Sequence, residues 1–152
     1  MKNTLIFLFL ICANFTFLNA QNKGANNNVA NDRVAIQGYD PIAYFKSNKA
    51  IKGNKSIKLE HKNALYYFLN EENKATFMAM PEKYTPQYGG WCAYAMGETG
   101  EKVAINPATF KILEGKLYLF YNAYFTNTLP LWNKKEAVLK TQGDKNWAKL
   151  FN

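Results

Sequence analysis

The first 20 residues carry the feature that most limits what this chain can become. Leu5–Leu18 is almost wholly apolar behind a single positive charge at Lys2, and the small residue Ala20 follows. This arrangement is typical of a secretory signal peptide, whereas a membrane-spanning helix needs about 20 apolar residues without polar interruptions. We therefore predict a signal peptide over residues 1–20, a periplasmic or secreted protein, and no transmembrane segment after removal of the signal.

Removal of this segment changes the count of cysteines. Cys12 leaves with the signal peptide, so the mature chain of 132 residues (152 less 20) keeps one thiol, Cys92. A single cysteine excludes an internal disulfide, on which many small exported proteins depend. We expect Cys92 to be buried, bound to a metal, or available to pair with a partner.

The positive charge of the chain is spread out. The formal net charge is +8, the only arginine is Arg33, and the longest basic run is Lys134–Lys135. Nucleic-acid binders concentrate arginine and lysine in one stripe, so we predict no nucleic-acid partner. The lysines indicate a solubilising surface or a weak attraction to anionic surfaces of the cell envelope.

Composition and local pattern predict one α+β domain. Residues 21–31 contain almost nothing that enters a core and are predicted to be a flexible leader, with the domain over residues 32–152. Asp40–Pro41 is typical of a helix start, Asn70 of another, and Gly143 is predicted to separate two C-terminal helical segments.

Alternating and aromatic segments predict hairpins. Residues 57–61 and 65–69 form one predicted pair of strands, and residues 109–113 and 117–121 form another around Glu114–Gly115. Hairpins interleaved with helices favour a small antiparallel sheet of hairpins packed with several short helices.

The chain offers few residues for a chemical site. It lacks GxSxG, GxxxxGK[ST], HExxH and CxxC motifs, so no catalytic residue is assigned. One histidine excludes any site with two imidazoles from the same chain. The remaining soft or basic candidates are Cys92, His61, Met78, Met80 and Met96.

Cys92, His61 and Met96 are the predicted metal ligands, for copper or zinc. Packing in the core is the alternative for Cys92, and a place at the rim of the core is the alternative for His61. Two glycines, Gly89 and Gly90, precede Cys92 and would let a ligand approach the backbone closely. Tyrosines beside Gly or Pro also indicate a ligand site. The predicted ligand-binding residues are Tyr39, Asp40, Tyr88, Gly89, Gly90 and Trp91.

Four segments together resemble the YHS domain family in its exported, stand-alone form. They are residues 38–45, 65–68, 77–84 and 86–94, and the resemblance spans about residues 33–150. Related short YHS modules bind metal through cysteines, but Leu69 and Asn73 stand at the matching positions, so that metal site is not implied for this chain. Cys92 stands where the exported form carries its own cysteine.

Three hypotheses follow. The first is a non-enzymatic module of the exported YHS type that binds a metal ion or a small ligand near Cys92. The second is a thiol-redox or catalytic protein with Cys92 as nucleophile and His61 as base, which requires contact between the two side chains. The third is a structural or interaction module with an envelope protein as partner.

Overall fold

The structure, a computed structural model, describes residues 26–151, so the predicted signal peptide lies outside the described residues. The predicted α+β class in a single domain is confirmed. The α-helices are α1 (Pro41–Ser47), α2 (Glu71–Ala79), α3 (Pro81–Tyr84), α4 (Ala93–Glu98), α5 (Leu129–Lys134) and α6 (Glu136–Lys149). The strands are β1 (Asn54–His61), β2 (Ala64–Phe68), β3 (Asn106–Leu113), β4 (Lys116–Phe120), β5 (Asn122–Ala123) and β6 (Thr126–Asn127). None of the described helices is long and apolar enough to cross a membrane.

Each hairpin forms its own small sheet. Strand β1 pairs with β2, β3 with β4 and β5 with β6, always antiparallel. The two longer hairpins are those that the sequence predicts, and the β3–β4 turn places Glu114 and Gly115 at φ values of 51° and 71°. Such a two-residue turn matches the twist of the strands it joins. Isolated β-bridges join the hairpins to other segments, for example Val34 to Leu65 and Cys92 to Leu119.

The buried carboxylate of Asp40 holds three elements together. Its Oδ1 accepts a hydrogen bond at 2.8 Å from the backbone N–H of Ile42, which caps α1 as the Asp-Pro pair predicts. Its Oδ2 accepts from the backbone N–H of Leu69 at 2.7 Å and from the side-chain amide of Asn73 at 2.6 Å. These donors replace the water that a fully buried carboxylate loses, so α1, the end of β2 and α2 meet at this group.

Two hydrophobic clusters fill the interior. The first joins the β1–β2 hairpin to α1, α2 and α3, and the second joins α4, α5 and α6. Strand β4 contributes to both, with Leu117 and Leu119 in the first cluster and Tyr118 and Phe120 in the second. Successive side chains of a strand point to opposite faces, so β4 connects the two halves of the domain.

Helix α6 runs unbroken through Gly143, so the predicted break at this residue is wrong. A Cβ atom at Gly143 would lie 2.9 Å from the hydroxyl oxygen of Tyr88. The glycine therefore allows Tyr88 to pack against the helix, and the Tyr88 hydroxyl donates a hydrogen bond at 2.9 Å to Asp144 on the next position of the same helix.

Residues 26–29 lie across the turn that precedes Cys92. The backbone N–H of Asn28 donates to Gly89 O at 2.8 Å, and its side-chain amide donates to Gly90 O at 2.9 Å. The Trp91 indole N–H donates to Asn26 O at 2.6 Å. The described part of the predicted leader thus makes specific contacts with the domain, while residues 21–25 lie outside the described residues.

We predict that Asp40→Ala lowers the free energy of unfolding by about 3 kcal/mol or more, because three donors, two of them buried, lose their carboxylate acceptor. Asp32→Ala is the control, since Asp32 accepts only an exposed bond from Val34 N–H, and we expect it to cost less than about 1 kcal/mol. Denaturant unfolding of both variants measures the difference. Equal losses would contradict the organising role of Asp40.

Candidate functional site

A cleft of about 180 Å³ opens between the β1–β2 hairpin, the turn at Tyr88 and the end of α6. It brings together three residues that the sequence predicts for a site, His61, Tyr88 and Gly89. Its lining residues are Asn27, His61, Lys62, Tyr66, Glu82, Thr85, Pro86, Gln87, Tyr88, Gly89, Trp147 and Phe151.

A charged group stands at one side of this cleft. His61 Nε2 lies 3.1 Å from one carboxylate oxygen of Glu82, and Lys62 Nζ donates to the other oxygen at 2.6 Å. The hydrogen bond from Lys62 is the main cause that lowers the pKa of Glu82, with smaller contributions from His61, so Glu82 is anionic at neutral pH. The edge-on contact between His61 and Phe77, with ring centroids 5.9 Å apart, places His61 at the rim of the first cluster.

Aromatic rings form the other walls. Tyr88 and Trp147 have ring centroids 6.3 Å apart, and Trp147 packs edge-on against Phe151 at 5.3 Å. Gly89 permits this arrangement, because a Cβ atom there would lie 2.9 Å from the Trp147 ring. Burial raises the pKa of the Tyr66 and Tyr88 hydroxyls, so both stay neutral and able to donate a hydrogen bond.

Three lining residues carry polar groups that make no hydrogen bond within residues 26–151. They are the hydroxyl of Tyr66, the side-chain amide of Gln87 and the indole N–H of Trp147. Among the described residues, the one buried side-chain oxygen or nitrogen atom without a hydrogen-bond partner is the Tyr118 hydroxyl, so these three groups are open to the cleft. The cleft therefore combines aromatic walls with hydrogen-bonding groups that a bound molecule can satisfy.

Cys92 lies away from this cleft, in the core. It is fully buried, and its Sγ accepts a hydrogen bond from the backbone N–H of Tyr121 at 3.3 Å. The same sulfur lies 3.4 Å from Thr128 Oγ1, and Thr128 in turn donates to Tyr121 O at 3.0 Å. The thiol thus connects the end of β4 to the start of α5.

The predicted metal ligands are distributed over three environments. His61 lines the cleft, Cys92 belongs to the first hydrophobic cluster, and the fully buried Met96 belongs to the second. Among the described residues, no group of three or more His, Cys, Asp or Glu side chains is placed to hold a metal ion.

The other predicted ligand-binding residues also lie outside the lining of the cleft. Asp40 is the buried carboxylate described above, and Gly90 and Trp91 are covered by residues 26–29. The Tyr39 ring lies 4.7 Å from the ammonium group of Lys52, and Lys52 lines a second cavity of about 480 Å³.

Several lining residues are ones that sequence reasoning missed. Tyr66 follows the period of its strand, but nothing in the local pattern connects it to Glu82 or Trp147, which are distant in the chain. Gln87 directly precedes the predicted ligand-binding residues Tyr88 and Gly89, so its place in the sequence could have indicated it. Asn27 belongs to a run of three asparagines. Asparagine side chains readily form hydrogen bonds with backbone groups, so this run could have indicated contacts with the domain.

The chain was compared with protein-family models, curated proteins and solved structures, and none of them matches it. The resemblance to the YHS domain family therefore stays a prediction.

We predict that Cys92 in the native protein reacts with the thiol reagent DTNB only as fast as the domain opens, because its sulfur is buried and bonded. Met78→Cys supplies the control, since Met78 is exposed and a thiol there is expected to react at once. Absorbance of the released thiolate, with and without denaturant, measures both rates. Rapid reaction of Cys92 in the native protein would contradict its structural role.

Proposed function

We propose that this chain is an exported, non-enzymatic module of the YHS type that binds a small polar ligand in the cleft between His61 and Trp147. The observation that carries the proposal is the set of unpartnered groups, from Tyr66, Gln87 and Trp147, around a half-aromatic cavity. Binding sites commonly pair apolar walls with a few polar groups that orient the ligand.

The size and charge of the cleft limit the ligand class. Its volume of about 180 Å³ is below the range of roughly 300–1,000 Å³ that suits drug-sized molecules. The positive charge of Lys62 and the negative charge of Glu82 cancel in an ion pair, so the site favours a neutral molecule. Two unpartnered donors, on Tyr66 and Trp147, favour a ligand with hydrogen-bond acceptors and a flat face, such as a nucleobase or a monosaccharide.

The surroundings of Cys92 support this proposal over a thiol-based one. A nucleophilic thiol needs access to a substrate and a base within hydrogen-bond reach. Cys92 is buried against Thr128, whereas His61 pairs with Glu82. The cleft likewise favours ligand binding over a purely structural role, since its aromatic walls and accessible polar groups are the combination that binding sites use.

We predict that Tyr66→Phe weakens ligand binding about two- to tenfold while leaving the melting temperature unchanged, because the hydroxyl has no partner in the protein to lose. Tyr67→Phe is the matched control, since Tyr67 is the next residue of β2 and lines the second cavity instead. NMR titrations of the labelled protein with adenine, uracil and D-glucose measure binding through the indole signal of Trp147. Saturable shifts away from the cleft, or equal affinities of the two variants, would contradict the proposal.

A further inference from the structure

The tip of the β5–β6 hairpin carries two aromatic side chains in open solvent. Tyr124 and Phe125 are 90% and 112% exposed, the highest values among the large hydrophobic side chains of the described residues. Exposed single apolar residues are common, but two adjacent aromatic rings at a projecting tip form a surface that water solvates poorly.

The backbone at this tip is also unfavourable for aromatic residues. The pairing of Ala123 with Thr126 leaves only Tyr124 and Phe125 in the loop, and their φ values are 48° and 64°. Two-residue turns with positive φ at both positions favour Asn-Gly, since side chains with a bulky ring pay a steric cost in this region. The two aromatic rings are therefore unfavourable both for solvation and for the backbone conformation. This points to a role in binding and not in the stability of the fold.

The base of the hairpin holds the tip in a fixed direction. Asn122 donates from its side-chain amide to Thr109 Oγ1 at 2.9 Å, and its carbonyl oxygen accepts from the Asn106 amide at 3.2 Å. On the other strand, Thr128 N–H donates to Tyr121 O at 3.0 Å. The two rings therefore project from a well-anchored base.

The charged residues that flank the hairpin in the sequence have one sign. No acidic residue occurs between Glu114 and Glu136, whereas Lys116, Lys134 and Lys135 lie in this segment. Within the described residues, the ammonium groups of these three lysines make no hydrogen bond or ion pair. Together with a net charge of +8, this segment is complementary to an anionic surface.

We propose that the Tyr124–Phe125 tip anchors the protein to the interface of an anionic lipid bilayer. The two rings enter the headgroup region, where aromatic side chains are favoured, and the unpaired lysines attract the lipid phosphates. This is attachment to a membrane surface by a protein that keeps its fold, and it is independent of the ligand cleft.

The double variant Tyr124→Asn/Phe125→Gly tests the proposal, because it removes both rings and installs the residues that the turn prefers. With vesicles of phosphatidylcholine and phosphatidylglycerol, we expect the affinity to fall at least about tenfold, the scale of losing two partly buried aromatic rings. The melting temperature is expected to stay the same or rise, which separates lost binding from lost folding.

Three controls complete the experiment. Val138→Asn removes an exposed apolar side chain from α6 and is expected to bind vesicles like the parent chain. Vesicles of phosphatidylcholine alone and a rise in salt to 0.5 M are both expected to weaken binding, because the lysine contribution is screened. Parent chain that does not bind anionic vesicles, or a double variant that binds as well as the parent, would overturn the proposal and leave a protein pocket as the partner of the tip.

Discussion

The buried carboxylate of Asp40 is the interaction on which the first half of the domain depends. It is fully buried and accepts hydrogen bonds from Ile42, Leu69 and Asn73, so the start of α1, the end of β2 and the first turn of α2 share one acceptor. A buried charge is tolerated only when its hydrogen bonds are complete, so none of these elements can move without leaving it unsatisfied. The position of the β1–β2 hairpin is thereby fixed, and with it the places of His61 and Tyr66.

The opposite wall of the cleft depends on close packing instead of charge. Gly143 and Gly89 each leave room for an aromatic ring that a Cβ atom would displace, the first for Tyr88 and the second for Trp147. Strand β4 joins this wall to the other half of the domain, because its alternate side chains enter both hydrophobic clusters. The cleft lies where these two differently stabilised halves meet, and residues of both halves line it.

Local chemistry made part of this fold predictable. The Asp40–Pro41 start of α1, the two longer hairpins and the Glu114–Gly115 turn depend on residues adjacent in the chain, and each is confirmed. The break predicted at Gly143 is wrong, since α6 continues through it. In the sequence, a glycine that allows close packing within a helix looks the same as a glycine that ends one. Local pattern cannot distinguish the two.

The site was harder to predict because its members meet only through the tertiary fold. His61, Glu82 and Trp147 come from separate parts of the chain, and no local pattern links them. Cys92 is the only cysteine of the described residues and was therefore a candidate from the sequence, but its burial against Thr128 is a property of the whole core. Rarity of a residue type therefore indicated a candidate, and only the three-dimensional packing indicated what that candidate contacts.

If a small ligand binds in the cleft and Cys92 is a structural thiol, native mass spectrometry with elemental analysis distinguishes this from metal binding at Cys92. On protein purified from its own cells, we expect a non-covalently bound small organic molecule, retained when Cys92 is replaced by serine, and no stoichiometric copper or zinc. One equivalent of either metal that disappears in Cys92→Ser would contradict this expectation.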